Sequence, residues 1–265
     1  MASPAHKEKT RTFFRPISSV TVSHIKQMYE LYAQYYENTS LDIFLSDLSK
    51  KSGVILVERK SDDRLVGFST QTFFDLKVEG KRVRGIFSGD TIIEKEYWGT
   101  RTLQGAFARK LLVEALKRPF SKQYWLLISK GYKTYLLLTR NFPIFYPDRR
   151  AEHPGLKELV TSYCDRLYPG KLDPTRMVLD FGPQANCLKD AVADIPPELL
   201  ARDADIAHFA ALNPGWVHGQ ELPCIAQADL FTFAKAIVPF ICKVLKPRPI
   251  RAIADPDSVA SASSD

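Results

Sequence analysis

Three consecutive segments constrain the fold of this chain more than anything else in it: "VRGIFSGDTIIE" (83–94), "TLQGAFARKLLVEALK" (102–117) and "QYWLLISKG" (123–131). The outer two are short, continuously apolar and rich in β-branched or aromatic residues, which reads as strand. The middle one places Leu103, Phe107, Leu111, Leu112 and Leu116 on one stripe, which reads as an amphipathic helix. A helix between two such strands is a crossover and makes the strands parallel. Upstream, "GVILVERK" and "LVGFSTQTFFDLKV" are strands joined by the turn "SDDR", and "EGKR" links them to the third strand. Tight turns between consecutive strands make an antiparallel meander. A meander joined to a β-α-β crossover predicts an α/β (mixed α+β) fold whose mixed sheet has helices on both faces.

The flanking segments fill out the architecture. In "SSVTVSHIKQMYELYAQYYENTS", Val22, Ile25, Met28, Tyr29, Tyr32 and Tyr36 recur at helical spacing, with Ser23 as an N-cap. A short helix, "SLDIFLSDLSKKSG", follows, closed by Gly53. "YKTYLLLTRNF" is a helix stopped by Pro143. Residues 1–14 and the Pro/Ser/Ala-rich 246–265 are expected to be disordered. Residues 15–150 form the core, and 151–245 form a mainly helical extension packed on it. In the extension "HPGLKELVTSYCDRLYPG" reads as a helix, "TRMVLDFG" as a strand, "PPELLARDADIAHFAALNPGW" as two short helices, and "CIAQADLFTFAKAIVPFICKVL" as one long docked helix.

Composition narrows the functional classes. Residues 1–150 hold 26 Lys and Arg against 15 Asp and Glu, a net of +11, while 151–265 hold 11 against 15, a net of −4. A basic half suits an anionic partner such as nucleic acid, a nucleotide-type cofactor, an acidic carrier protein or a membrane surface, or it is simply a solvated face. No helix-turn-helix or base-stacking motif supports a nucleic-acid partner. No window of ~18 apolar residues suggests a membrane span. The polar, basic N-terminus does not read as a secretory leader, and four scattered cysteines form no C-x-x-C pair, so a cytoplasmic protein with reduced thiols is expected. No carboxylate lies at metal spacing from the histidines, and no metal is assigned.

The segment "TIIEKEYWGTRTLQGAFARKLL", with the two helices and the meander before it, resembles the GCN5-related N-acyltransferase superfamily over residues 20–146. There a fourth strand leads into a pyrophosphate-binding turn and helix, then a fifth strand and a fourth helix. The family turn reads Arg or Gln, two residues, Gly, any residue, then Gly or Ala. Aligned on "YWG", this chain has Trp98 at the first position, Arg101 at the required Gly and Leu103 at the final small residue. The resemblance implies an acyl-CoA, or an acyl-phosphopantetheine on an acyl-carrier protein, held by Trp98, Gly99, Thr100, Arg101 and Thr102, with Arg101 able to meet phosphate by its guanidinium. It implies an oxyanion donor from the backbone near Ile92 or Ile93.

The family chemistry is direct attack of an amine on a thioester, which needs an oxyanion donor, a base and an acid for the thiolate. The family acid is a tyrosine in the fourth helix, but alignment puts Leu137 there, with Tyr132 and Tyr135 off the same face. For the base, Asp90 and Glu94 lie four apart on one side of the fourth strand. A carboxylate in an apolar strand is costly unless paired or functional. "SGD" also suggests a bulge at Gly89. "SKGYKTY" after the fifth strand offers Lys130 or Lys133 to phosphate and Tyr132 or Tyr135 as acid. The expected function is acyl transfer to the amine of a small molecule. The alternative is a non-catalytic binding module of the same fold for an acyl or nucleotide ligand.

Overall fold

The computed structural model describes residues 8–235, apart from 79, 184 and 190–193. The elements run β1 (Thr10–Pro16), α1 (Val22–Tyr35), α2 (Leu41–Leu48), β2 (Gly53–Arg59), β3 (Leu65–Val78), β4 (Lys81–Ile93), α3 (Thr102–Lys117), β5 (Gln123–Ser129), α4 (Tyr132–Asn141) and β6 (Phe145–Tyr146). There follow α5 (Leu156–Leu167), β7 (Leu172–Asp173), β8 (Val178–Leu179), α6 (Pro197–Arg202), α7 (Ala204–Leu212) and β9 (Leu222–Gln227). Seven strands form one sheet in the order β1-β2-β3-β4-β5-β9-β6. Among the described residues only β4 and β5 pair in parallel, across the crossover helix α3.

Helices cover both faces. Along β2, Ile55 and Val57 pack with α3 and α4 residues, while Val54 and Leu56 pack with α1 and α2 residues. Two covered faces explain why "GVILVE" is apolar throughout and not alternating. A third cluster joins α5 to β3, β4 and β5 on the α1/α2 side.

Several sequence expectations are corrected. The segment expected to be disordered before residue 15 contains β1, an edge strand paired antiparallel with β2 from Thr10↔Arg59 to Pro16↔Gly53. It makes β4 the fourth strand of the chain. Thr21, not Ser23, caps α1: its hydroxyl accepts the His24 backbone N–H at 3.2 Å. Gly53 opens β2 instead of closing α2, because a Cβ there would lie 2.4 Å from the Phe14 ring across the strand pair. The start of the expected long helix at 224–245 is a strand: β9 pairs with β5 from Ser129↔Leu222 to Tyr124↔Gln227. A new helical turn begins beyond Asp229, whose carboxylate accepts the Thr232 N–H at 2.9 Å. Residues 236–245 of that expected helix, and the 246–265 tail, lie outside the described residues. The strand expected in "TRMVLDFG" shrinks to β8.

Candidate active site

The site begins where β4 and β5 part. Their pairing runs from Arg84↔Gln123 to Ser88↔Leu127 and stops there. Beyond Ser88, β4 stays bound to β3, and the end of β5 stays bound to β9. A bulge drives the parting: between the pairs Ser69↔Thr91 and Gln71↔Ser88, the single residue Thr70 opposes both Gly89 and Asp90. Gly89 is required there, since a Cβ would fall 2.6 Å from the Thr70 hydroxyl. A cavity of about 680 Å³ occupies the opening and reaches both faces of the sheet.

The backbone edge of β4 is exposed in this gap. Glu94 N–H donates to Val66 O at 2.9 Å, toward β3. Alternation therefore turns Ile93 the other way, toward the space that β5 has left. The Trp98 indole N–H donates to Ile93 O at 2.9 Å, which fixes the same direction. Ile93 N–H thus points into the gap, while Ile92 is turned toward β3.

On the α1/α2 face the cavity holds Asp90, Glu221, Asp47, Lys51 and Lys130. Lys51 pairs with Asp47 at 2.7 Å, and Lys130 with Glu221 at 2.9 Å. Asp90 has neither hydrogen-bond nor ion-pair partner within reach among the described residues. Burial pushes its carboxyl up to about 6; Asp47 and Glu221 add to the shift, and Lys51 and Lys130 oppose it. Burial likewise raises Glu221, against the pull of Lys130.

On the α3/α4 face the turn after β4 enters the cavity through Trp98 and Gly99, and α3 through Leu103 and Gln104. Gly99 has φ 80° and Arg101 φ 57°, so both are left-handed. Arg101 therefore holds the backbone that a glycine would hold, at a strain of about 1–2 kcal/mol. No side chain caps α3. The Thr102 N–H donates to the Thr100 hydroxyl at 3.5 Å, and Leu103 and Gln104 of the first turn line the cavity at the positive end of the helix dipole. Two ammonium groups lie over the Trp98 ring, Lys133 Nζ at 4.4 Å and Lys95 Nζ at 5.9 Å. Partial burial and the neighbouring Lys95 both lower the Lys133 value.

Other sequence candidates lie elsewhere. Glu94 is not in the cavity: Arg64 grips it with two hydrogen bonds, one of 2.7 Å. Tyr135 is fully buried and donates to Pro147 O at 2.9 Å, against Phe209, and burial raises its phenol. Tyr132 packs at the edge of the α3/α4 core and does not line the cavity. From α4 the cavity receives Lys133, Thr134 and Leu137, so neither tyrosine is placed to act as the acid. Thr100 donates to Tyr97 O at 2.8 Å, and Thr102 to Thr100 at 3.1 Å; with the exposed Arg101 they stand outside the lining. Lys130 is occupied by Glu221 on the far face from the turn, so the lysine near it is Lys133.

Glu221, Lys51, Asp47, Tyr36 and Tyr168 are cavity residues that sequence reasoning did not single out. Only Glu221 left a trace in the sequence, as an acid just before an apolar strand. The nearby His218 is exposed and outside the cavity.

No protein-family model and no curated protein matches the sequence. Among solved structures, a conserved Enterococcus faecalis protein described as a probable N-acyltransferase overlaps 49% of this chain at 18% identity and TM-score 0.38, and the chain spans only 32% of that protein. Arabidopsis thaliana NAA60 in complex with acetyl-CoA overlaps 49% of this chain and 82% of its own at 10% identity and TM-score 0.38. The Escherichia coli N-acetyltransferase YhbS in complex with CoA overlaps 50% and 72% at 11% identity and TM-score 0.35. At scores this low the likeness decides neither family nor activity.

Proposed function

We propose that this protein is an N-acyltransferase that moves an acyl group from a thioester to the amine of a small molecule by direct attack. The observation that carries the proposal is the gap between β4 and β5, with an unpartnered carboxylate on one face, a lysine-flanked, uncapped helix start on the other, and an inward-pointing backbone N–H between them.

The parts divide the chemistry as follows. The first turn of α3 and Lys133 suit the pyrophosphate of an acyl-CoA or the phosphate of a phosphopantetheine arm. The pantetheine chain would lie along the free edge of β4, as an added strand would. Asp90 takes a proton from the acceptor ammonium, and the freed amine attacks the thioester carbonyl. Ile93 N–H faces the oxyanion that develops. Collapse breaks the carbon–sulfur bond and expels a thiolate; a thiol of pKa ~8.5 needs little acid assistance to leave, which accommodates a cavity that neither tyrosine of α4 lines. The ammonium proton passes from Asp90 to solvent, and the second proton, shed by the attacking nitrogen as the amide forms, neutralises the departing thiolate.

Amine-dependent release of free thiol is the test. The purified protein is incubated with acetyl-CoA, longer acyl-CoAs and an acylated carrier protein, each with a mixture of primary amines. Thiol release that depends on amine supports the proposal and identifies the donor. If no donor releases thiol while native mass spectrometry retains a bound acyl or nucleotide ligand, the protein is a binding module instead.

A further inference from the structure

The α1/α2 end of the cavity has a charge balance and a wall chemistry that select among amines. This inference rests on the acyl-transfer reading and deepens it. Of the five charged groups there, four form two pairs, Lys51–Asp47 at 2.7 Å and Lys130–Glu221 at 2.9 Å. One carboxylate, Asp90, remains unmatched. Among the described residues no arginine lines the cavity, and its remaining lysine, Lys133, sits at the opposite end over Trp98. An acceptor with one ammonium completes this balance. A carboxylate on the same acceptor finds no unengaged cation and faces three like charges.

The walls are flat and aromatic. Tyr36 stacks on Tyr32 at 4.5 Å between ring centres, and Tyr168 meets Phe181 edge-on at 5.2 Å. Tyr32 is held in place by Asn186, which donates to its hydroxyl at 2.8 Å. Residues 185–189 run across the end of α1, with Glu37 N–H donating to Cys187 O and Lys189 N–H to Tyr35 O, both at 3.0 Å. Ala185, Asn186 and Leu188 of this strap line the cavity. Where a chain continuing beyond the acceptor, as in a peptide N-terminus, meets this strap, it has less room.

We infer that the acceptor is a small primary amine carried on an aromatic or similarly flat apolar body and lacking a carboxylate. Ring faces supply stacking and edge contacts for such a body, and attract the ammonium as it approaches Asp90. The paired Lys130–Glu221 acts as a filter, since Glu221 occupies a cation that would otherwise take an acceptor carboxylate.

The experiment compares kcat/KM for phenethylamine, phenylalanine, n-butylamine, putrescine and a Phe-initiated tripeptide with the donor found above. Phenethylamine should exceed phenylalanine by about 100-fold or more, because an uncompensated like charge in a site of this kind costs several kcal/mol. It should exceed n-butylamine and putrescine by about 10-fold, the value of one ring contact. In Glu221→Gln the released Lys130 should narrow the preference over phenylalanine by about 10-fold or more. Preference for phenylalanine, the tripeptide or putrescine in the wild type would overturn the inference, as would an unchanged ratio in a folded Glu221→Gln. If no amine releases thiol, acyl transfer falls. Calorimetric binding of phenethylamine against phenylalanine then decides the inference by itself: tighter phenethylamine supports it, and equal or reversed affinities overturn it.

Discussion

Replacing Asp90 with asparagine should move activity and stability in opposite directions. Asp90 stands at the bulge with no hydrogen-bond or ion-pair partner among the described residues, and its carboxyl lies near 6 against an ordinary 3.8, chiefly because it is buried. A displacement of that size disfavours the ionised form by roughly 3 kcal/mol at ~1.36 kcal/mol per unit. The cavity admits some solvent, and screening leaves about 1–2 kcal/mol. A carboxyl with a raised folded-state value binds its proton more tightly in the folded protein than in the unfolded chain. Its contribution is therefore most favourable below pH 3.8 and is lost as pH rises toward about 6 and beyond. At pH 7.5 the wild type carries the full cost, and Asp90→Asn removes it. With about 2–4 °C per kcal/mol for a domain of this size, Tm should rise by about 2–8 °C. Turnover should fall by about 100-fold or more, the usual loss for a general base. The acid limb of the wild-type kcat/KM profile, centred near pH 6, should disappear. Differential scanning fluorimetry at pH 5.0 and 7.5, with a thiol-release profile over the same range, measures all three. Unchanged turnover would remove Asp90 from the role of base. A lower Tm at pH 7.5 would show that the carboxylate has a stabilising partner and refute the burial argument.

Two further outcomes follow from the same geometry. Lys133→Ala should raise the donor KM by about 10-fold with kcat little changed, since one charge-assisted contact to phosphate is worth about 1.5–3 kcal/mol; steady-state kinetics at low and high salt checks this, and an unaffected KM would place the phosphate elsewhere. Gly89→Ala should destabilise by about 1–3 kcal/mol in urea unfolding, because the new Cβ would meet the Thr70 hydroxyl at 2.6 Å. Combining it with Thr70→Ala should recover part of that loss, and a neutral Gly89→Ala would mean that β4 can shift without cost.

How legible the protein was depends on whether local pattern or distant contact decides each part. α3 was legible at both ends, Thr102 and Lys117, because its apolar stripe and its flanking strands agree. The bulge at Gly89 was legible because a glycine beside an aspartate inside an apolar strand has few other uses. β1 was missed because "TRTFFRP" is short, carries two arginines and is held by distant contacts, pairing with a strand some forty residues later and packing of Phe14 on Phe73. β9 was missed because "LPCIAQ", buried on both faces, has no periodicity, and it runs into residues that do turn helical. The site shows the same division. Asp90 could be singled out from its strand alone. Glu221 could not, since its relevance comes from Lys130 across the sheet. Tyr135 and Tyr132 were proposed from nearness in sequence to the fifth strand, but helix phase turns Tyr135 into the core toward Phe209 and keeps Tyr132 off the cavity.

The parting of β4 and β5 has a consequence for how quickly anything enters it. Each lip is tied to a neighbour, β4 to β3 and the end of β5 to β9, so the opening is not held apart by an occupant and has no partner strand waiting to close it. An arriving extended chain therefore meets a preformed edge and orders little of the protein on docking, which spares the association step the slow rearrangement that limits many lidded sites. The same arrangement leaves an unsatisfied strip of backbone in every empty molecule, the hazard that exposed sheet edges carry. Here that strip lies inside the fold, out of reach of another copy of the chain.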